Sequence, residues 1–446
     1  MNHIRRADAT FSTRYASALL AVLVSSGLVV AHAAAPPPAL PELTVTADRK
    51  AETYAVGDTV GWSFARAPGA SRRDYHFTVR RNGLTPVAAG QLSFAADKAR
   101  IALVAHEPEM LYVEITASDA PKAPLLLGAA VAPQQLQPSL PGPADFDSFW
   151  KAKLKWLKSV PANPLLSPSA SGNPDVDYAT ITMATVDGAH IHGQIARPRA
   201  GNKFPALLIL QYAGGPYPLQ KQWVVDRAAQ GWLALNVEPH DVLPVEPQAY
   251  YDKLPARIKQ YQAIGRDSRD RSYFLRMYLS DYRAVEYLAS RKDWDGHTLV
   301  LLGTSMGGQQ SLCTAALNHR VTAVIVNEPS GADANGEAHG RLTGYPNWPA
   351  DDPRALHTAP YFDTVNCASR IRAPTLVAMG FTDTTAPPTG IWTAFNQIPG
   401  PKEAVPMVDS PHNNYATPEQ QRPFTDRSEQ WLQALRTGGA PSIPAR

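Results

Sequence analysis

The chain has 446 residues, 44% hydrophobic and 18% charged; it is too long for a single hydrophobic core and too apolar for a disordered polymer. Its 42 Lys and Arg against 39 Asp and Glu give a formal charge of +3. Arg5, Arg6 and Arg14 against Asp8 put two of those charges in the first 33 residues, so charge gives no reason to expect nucleic acid or an anionic membrane as a partner.

Residues 1–33 read as a signal peptide. The arginines precede an apolar run over 16–30, and Ala31-His32-Ala33 supplies the small-x-small cleavage pattern. The run is shorter than the ~20 residues a membrane span needs. The expectation is export to the periplasm or outside the cell, with no membrane attachment after cleavage. Export permits disulfides, and the two cysteines, Cys313 and Cys367, could form one bridge or remain two buried thiols. No Cys/His cluster has metal-ligand spacing, so neither a metal nor a cofactor is expected.

Residues 41–132 alternate short apolar stretches (43–47, 59–64, 76–79, 101–104 and 110–116) with turn signals such as Asn82-Gly83. Several strands at this spacing without a helical period predict a small immunoglobulin-like β-sandwich. It carries no residue of catalytic character and reads as a packing or spacer unit, with carbohydrate binding as the alternative. The proline-rich segment 133–143 reads as a connector. Asp145 is placed to cap a helix carrying Phe146, Phe149, Trp150, Leu154 and Leu157 at helical period. Residues 178–185 and 190–197 form a predicted hairpin across Asp187-Gly188.

From residue 204 onward, buried apolar strands (206–211, 232–237, 298–302, 322–327, 375–379 and 405–409) alternate with helices, notably 272–290 and 309–317. Continuous apolar strands separated by helices predict a parallel α/β sheet covered on both faces. The second unit is therefore set at 144–440, a mostly parallel α/β sheet with helices on both faces behind the small all-β sandwich.

The chemistry centres on Gly303-Thr304-Ser305-Met306-Gly307-Gly308, directly after an apolar strand. In a G-x-S-x-G elbow the glycines let the chain turn sharply from strand to helix, presenting the serine hydroxyl at a helix N-terminus. Such a serine needs a histidine to take its proton and a carboxylate to orient that histidine. Asp383 and His412 each follow a later strand in the order this fold uses. Asp409, only three residues before His412 and assigned to the strand, is the weaker acid. The amide of Met306 is one expected oxyanion donor. The second is expected from Tyr212-Ala213-Gly214-Gly215-Pro216, with Ala213 and Gly214 the candidates.

These motifs carry a family resemblance. The chain from Asp145 onward resembles the acetyl xylan esterase and cephalosporin C deacetylase family of α/β-hydrolases. The carrying segments are 143–150 (PADFDSFW), 192–198 (HGQIARP), Asp281-Tyr282-Arg283-Ala284, the serine elbow, and 380–388 with Ala394-Phe395-Asn396. The resemblance implies an ester hydrolase acting on an acetylated oligosaccharide or another small acetyl ester, and a homo-oligomer. The chain departs from the family at three points. Met306 replaces the glutamine that follows the nucleophile, and Asn413 replaces the glutamate after the histidine. Glu238-Pro239-His240 stands in place of an Arg-Gly-Gln motif; Glu238 and His240 are read as loop residues without catalytic duty, with lining the pocket as the alternative. Two other readings remain: a secreted serine peptidase of the same fold, and a non-catalytic glycan-binding protein on a hydrolase scaffold.

Overall fold

The computed structural model describes residues 40–70 and 73–444; the signal peptide expected at 1–33 lies outside them. Among the described residues no helix is long and apolar enough to cross a membrane.

Eight strands build the front unit: β1 Leu43–Ala47, β2 Thr53–Tyr54, β3 Thr59–Arg66, β4 Tyr75–Arg81, β5 Thr85–Gln91, β6 Lys98–Val104, β7 Glu109–Ala117 and β8 Ala120–Val131. They form two sheets, ordered β1-β3-β6 and β2-β8-β7-β4-β5. Alternate residues of both sheets, among them Val60, Trp62, Phe64, Val79, Ile101, Val113 and Ile115, share one core. That inward alternation is what makes the pair a sandwich. Three of these strands had no separate sequence signal. β2 is two residues long, every residue of β5 is exposed or half-buried, and β8 carries two prolines.

Nine further strands form one sheet: β9 Leu165–Ser169, β10 Val176–Ala184, β11 His190–Pro198, β12 Phe204–Leu210, β13 Leu233–Val237, β14 Trp294–Thr304, β15 Ala323–Asn327, β16 Thr375–Gly380 and β17 Lys402–Met407. Their order is β17-β16-β15-β14-β12-β13-β11-β10-β9. β12 through β17 run parallel, and β9 to β11 extend the sheet antiparallel. Leu208 and Leu210 of β12 enter the core on one face, while Leu207 and Ile209 enter the core on the other. A strand buried on both faces must be apolar throughout, which is why β12 to β16 were legible as continuous runs.

Two sequence expectations change. Asp145 occupies the N-cap position of helix Phe146–Lys158, but its side chain makes no cap hydrogen bond. The carboxylate instead pairs with Arg269 at 2.6 Å and accepts from the Tyr361 hydroxyl at 2.5 Å; a charge-assisted contact is stronger than a neutral amide cap. β17 begins and ends earlier than read, so Asp409 stands exposed in the turn after it rather than in the strand.

The front unit packs against the second unit. Gly128 in β8 lies so close to Phe381 that a Cβ added there would sit 2.6 Å from the Phe381 Cβ and 2.7 Å from its carbonyl oxygen. Asn82 accepts from the Leu342 amide at 2.9 Å and from the Thr389 hydroxyl at 3.3 Å. Met110 and Ala130 belong to the core of the second unit rather than to the sandwich core. The stretch read as a connector is held down as well: Asn396 donates to the carbonyls of Pro133 and Leu136, and Ser139 donates to Asp333.

Candidate active site

Ser305 ends the turn between β14 and helix Met306–Leu317, with φ 57 and ψ −120. A non-glycine residue with such a backbone is strained by roughly 1–3 kcal/mol and persists only where its surroundings enforce it. Here they do. The Ser305 amide donates to Asn327 O at 2.9 Å and its carbonyl accepts from the Ser330 amide at 3.1 Å. A Cβ on Gly303 would meet the Gly307 carbonyl at 2.2 Å, and one on Gly307 would meet Leu210 O at 2.2 Å. Both obstructions are backbone atoms, so only glycine fits.

The structure brings the three candidate residues together. His412 Nε2 lies 2.9 Å from Ser305 Oγ, and His412 Nδ1 lies 2.6 Å from Asp383 Oδ2. The carboxylate beside Nδ1 fixes the proton there and leaves Nε2 free to accept from the serine. The other oxygen of Asp383 accepts from the amides of Thr385 and Ala386 at 2.7 and 2.8 Å. All three side chains are buried, with Ser305 and His412 at 5% exposure and Asp383 at 2%. Burial acts to lower the His412 pKa, but the charge and hydrogen bond of Asp383, with Glu328 behind them, raise it above its ordinary value. The rival Asp409 makes no side-chain contact with His412 among the described residues.

Met306 is the first residue of its helix, where an amide has no intrahelical acceptor. Its side chain has a task of its own: its sulfur lies 3.1 and 3.2 Å from the hydroxyls of Tyr261 and Tyr345, which are 2.6 Å apart, so that one hydroxyl donates to the other and the second donates to the sulfur. The contact between Gly307 and the end of β12 sets the loop beginning at Tyr212 beside the start of this helix. Within that loop the backbone of Gly214 is turned toward Tyr261 and His240, and the Ala213 side chain packs against the core.

Glu238 and His240 are buried beneath that loop instead of lining an open pocket, at 3% and 0% exposure. His240 Nδ1 lies 2.7 Å from the Tyr273 hydroxyl, and burial pushes its pKa down to about 4. Burial likewise drives the Glu238 carboxyl well above the usual range. The His240 imidazole is therefore neutral near pH 7. A cavity of ≈ 800 Å³ lined by Pro168, Tyr178, Arg197 and Arg291 lies against β9 to β11 and shares no residue with the triad.

One residue of the site was not found by sequence reasoning. Glu328, directly after β15, is fully buried, and its Oε2 lies 3.6 Å from His412 Nδ1. The available signal was an acid at the end of an apolar strand, the same signal that marked Asp383. Among the described residues, Glu328, Asp383 and His412 also form the only group close enough to ligate a metal ion. The imidazole has no lone pair to spare, since Nδ1–H points to Asp383 and Nε2 faces the serine hydroxyl. Cys313 of the elbow helix is bonded to Cys367 in helix Thr364–Ala368, which settles the pairing in favour of a disulfide.

The acetyl xylan esterase (AXE1) family profile matches residues 134–435. The chain belongs to the acetyl xylan esterase family. Its match to the acetyl esterase Axe7A of Xylanibacter ruminicola is 31% identical over 282 residues, covering 61% of this chain and 64% of that relative, less than two thirds of its length. Two solved structures share the fold. The acetyl xylan esterase from Paenibacillus sp. R4 superposes with a TM-score of 0.57 at 23% identity, covering 68% of this chain and 98% of its own. Acetyl xylan esterase 1 from Thermoanaerobacterium sp. JW/SL YS485 gives 0.56 at 21%, covering 68% and 97%. The family match begins at residue 134, behind the β-sandwich.

Proposed function

We propose that this protein is a serine esterase that removes O-acetyl groups from carbohydrates. The observation that carries the reading is the buried His412 bridging Ser305 Oγ at 2.9 Å and Asp383 at 2.6 Å, in a chain of the acetyl xylan esterase family. His412 takes the Ser305 proton as Oγ bonds to the acetyl carbonyl carbon. The amide of Met306 and one from the Ala213-Gly214 loop stabilise the oxyanion, worth about 3–4 kcal/mol per donor in comparable sites. His412 then returns the proton to the leaving sugar oxygen, and the C–O bond breaks to give acetyl-Ser305. Water, deprotonated by the same imidazole, releases acetate.

This mechanism rests on the protein's own groups. The apposed serine, histidine and aspartate favour it over a glycan-binding scaffold without catalysis. We further propose export, motivated by the basic, apolar and small-x-small order of residues 1–33; a mature N-terminus at Ala34 in protein recovered from the native source tests it.

The deciding assay compares p-nitrophenyl acetate, acetylated xylo-oligosaccharides and a peptide substrate. Acetate release from the first two is expected, and Ser305→Ala should lower kcat by about 10³-fold or more without unfolding the chain. A Ser305→Ala variant within about tenfold of wild type would remove the nucleophile assignment.

A further inference from the structure

His412 has two carboxylates on the side away from the nucleophile. Asp383 Oδ2 is 2.6 Å from Nδ1 and Glu328 Oε2 is 3.6 Å from the same nitrogen. They arrive from neighbouring strands, Glu328 from the end of β15 and Asp383 from the loop after β16. Either strand end can therefore aim an acid at one imidazole.

Glu328 is built into this place. Its backbone has φ 45, a left-handed conformation that a glutamate adopts only when held. Its amide donates to Ala378 O at 2.9 Å. Oε2 accepts from the Asn413 amide at 2.6 Å, so the carboxyl grips the residue that follows the catalytic histidine. Oε1 accepts from Gln421 Nε2 at 2.8 Å, and the same Gln421 holds Ser410 and Asn327. Room for the carboxyl comes from Gly380, where an added Cβ would stand 3.2 Å from Oε1. A side chain needed only to fill volume would not require this much hydrogen bonding, nor be an acid buried against another acid.

Resting on the triad reading above, we propose that Glu328 is a second acid of the site: a positioning residue that fixes the His412 loop through Asn413 and serves as reserve partner for His412 Nδ1 when Asp383 is not charged. The groups facing it are consistent with that duty. Burial, and next the charge of Asp383, hold the Glu328 pKa up at about 8, while His412, Gln421 and the Asn413 amide act to lower it. With Asp383 ionised, Glu328 stays protonated and the pair carries one negative charge. Removal of the Asp383 charge relieves the second of the two raising influences, so Glu328 ionises more readily and can stabilise the imidazolium in its place. One proton leaves Glu328 and no other bond changes.

The test compares Asp383→Ala, Glu328→Gln and the double variant on p-nitrophenyl acetate from about pH 6 to 9, with Ser305→Ala as the floor. The Glu328→Gln substitution keeps an oxygen for the Asn413 amide while removing the charge. Asp383→Ala should retain kcat at least about tenfold above the floor, with activity rising with pH as Glu328 ionises. Adding Glu328→Gln should bring it to the floor, a non-additive loss expected of groups acting as a unit. With Asp383 intact, Glu328→Gln should cost less than about tenfold in kcat and leave KM unchanged. The idea fails if Asp383→Ala already sits at the floor, or if the second substitution changes its kcat by less than about threefold.

Each variant is checked by circular dichroism. Should Asp383→Ala not fold, Asp383→Asn, whose oxygen can still accept from Thr385 and Ala386, replaces it. The low-field proton resonance of His412 Nδ1–H supplies a readout independent of turnover. It should persist in the Asp383 variant and disappear in the double variant; its absence from the single variant overturns the proposal. A wild-type protein without esterase activity would refute the proposed function but leave this resonance comparison intact.

Discussion

At the scale of single residues, the state of His412 governs the acid limb of activity. The imidazole must be neutral to accept the serine proton. Burial lowers its pKa, but Asp383 outweighs that effect and leaves the value raised. Activity is therefore lost as pH falls through that raised value, and kcat/KM should decline already above pH ~6.5, the unperturbed midpoint. A profile flat from about pH 5 to 8 would count against a histidine base. Residues also mark what a sequence can disclose. Ser305, Asp383 and His412 were legible because each is a reactive side chain at the end of an apolar strand, in the order of this fold. Glu328 obeys the same rule but falls outside a template that counts a single acid. The oxyanion loop is harder to read, since amide donors leave no side-chain signature.

Among elements, β8 matters most for the chemistry it never touches. Gly128 abuts Phe381, two residues before Asp383, and the neighbouring Tyr112 of β7 lies within the electrostatic reach of that aspartate. Gly128→Val should therefore displace the acid loop and reduce kcat about tenfold or more, on the principle that a misplacement near 1 Å can cost about 10²-fold. Esterase assay with near-UV circular dichroism checks this, and an unchanged kcat with an unchanged melting temperature would show that the loop yields freely. None of this could be read beforehand. The parallel strands were visible as apolar runs because both faces are buried, yet Gly128 lies in a stretch broken by Pro121 and Pro124, and its partner is more than 250 residues away. Asp145 shows the converse: cap chemistry is a local signal, and a distant Arg269 redirected it.

For the whole molecule, the two units are chemically separate and mechanically joined. Sequence places every catalytic candidate beyond residue 205, which favours a chain starting near Leu140 that still hydrolyses a small ester. The packing reverses that expectation. Such a truncation removes Gly128 from Phe381, Asn82 from Leu342 and Thr389, and Met110 and Ala130 from the hydrolase core. A fall in kcat of about a hundredfold per folded molecule, about 2.7 kcal/mol of transition-state stabilisation, is expected together with poor solubility. Near-normal kcat in a folded truncation would return the sandwich to a spacer role.

The bond between Cys313 and Cys367 extends this coupling to the place of synthesis. It closes a loop of 54 residues that contains β15, Glu328 and Asp333, the partner of Ser139, so reduction frees that loop in the unfolded chain and leaves the folded site as it is. Closure of such a loop contributes about 4 kcal/mol on the chain-entropy account. One polypeptide thus has two stabilities, set by the redox potential of its compartment. Cys313→Ala with Cys367→Ala should melt well below the oxidised enzyme while matching its kcat when folded, and a reducing cytosol should yield material with that same lower melting point. The export proposed above would then complete the protein's covalent structure as well as change its location.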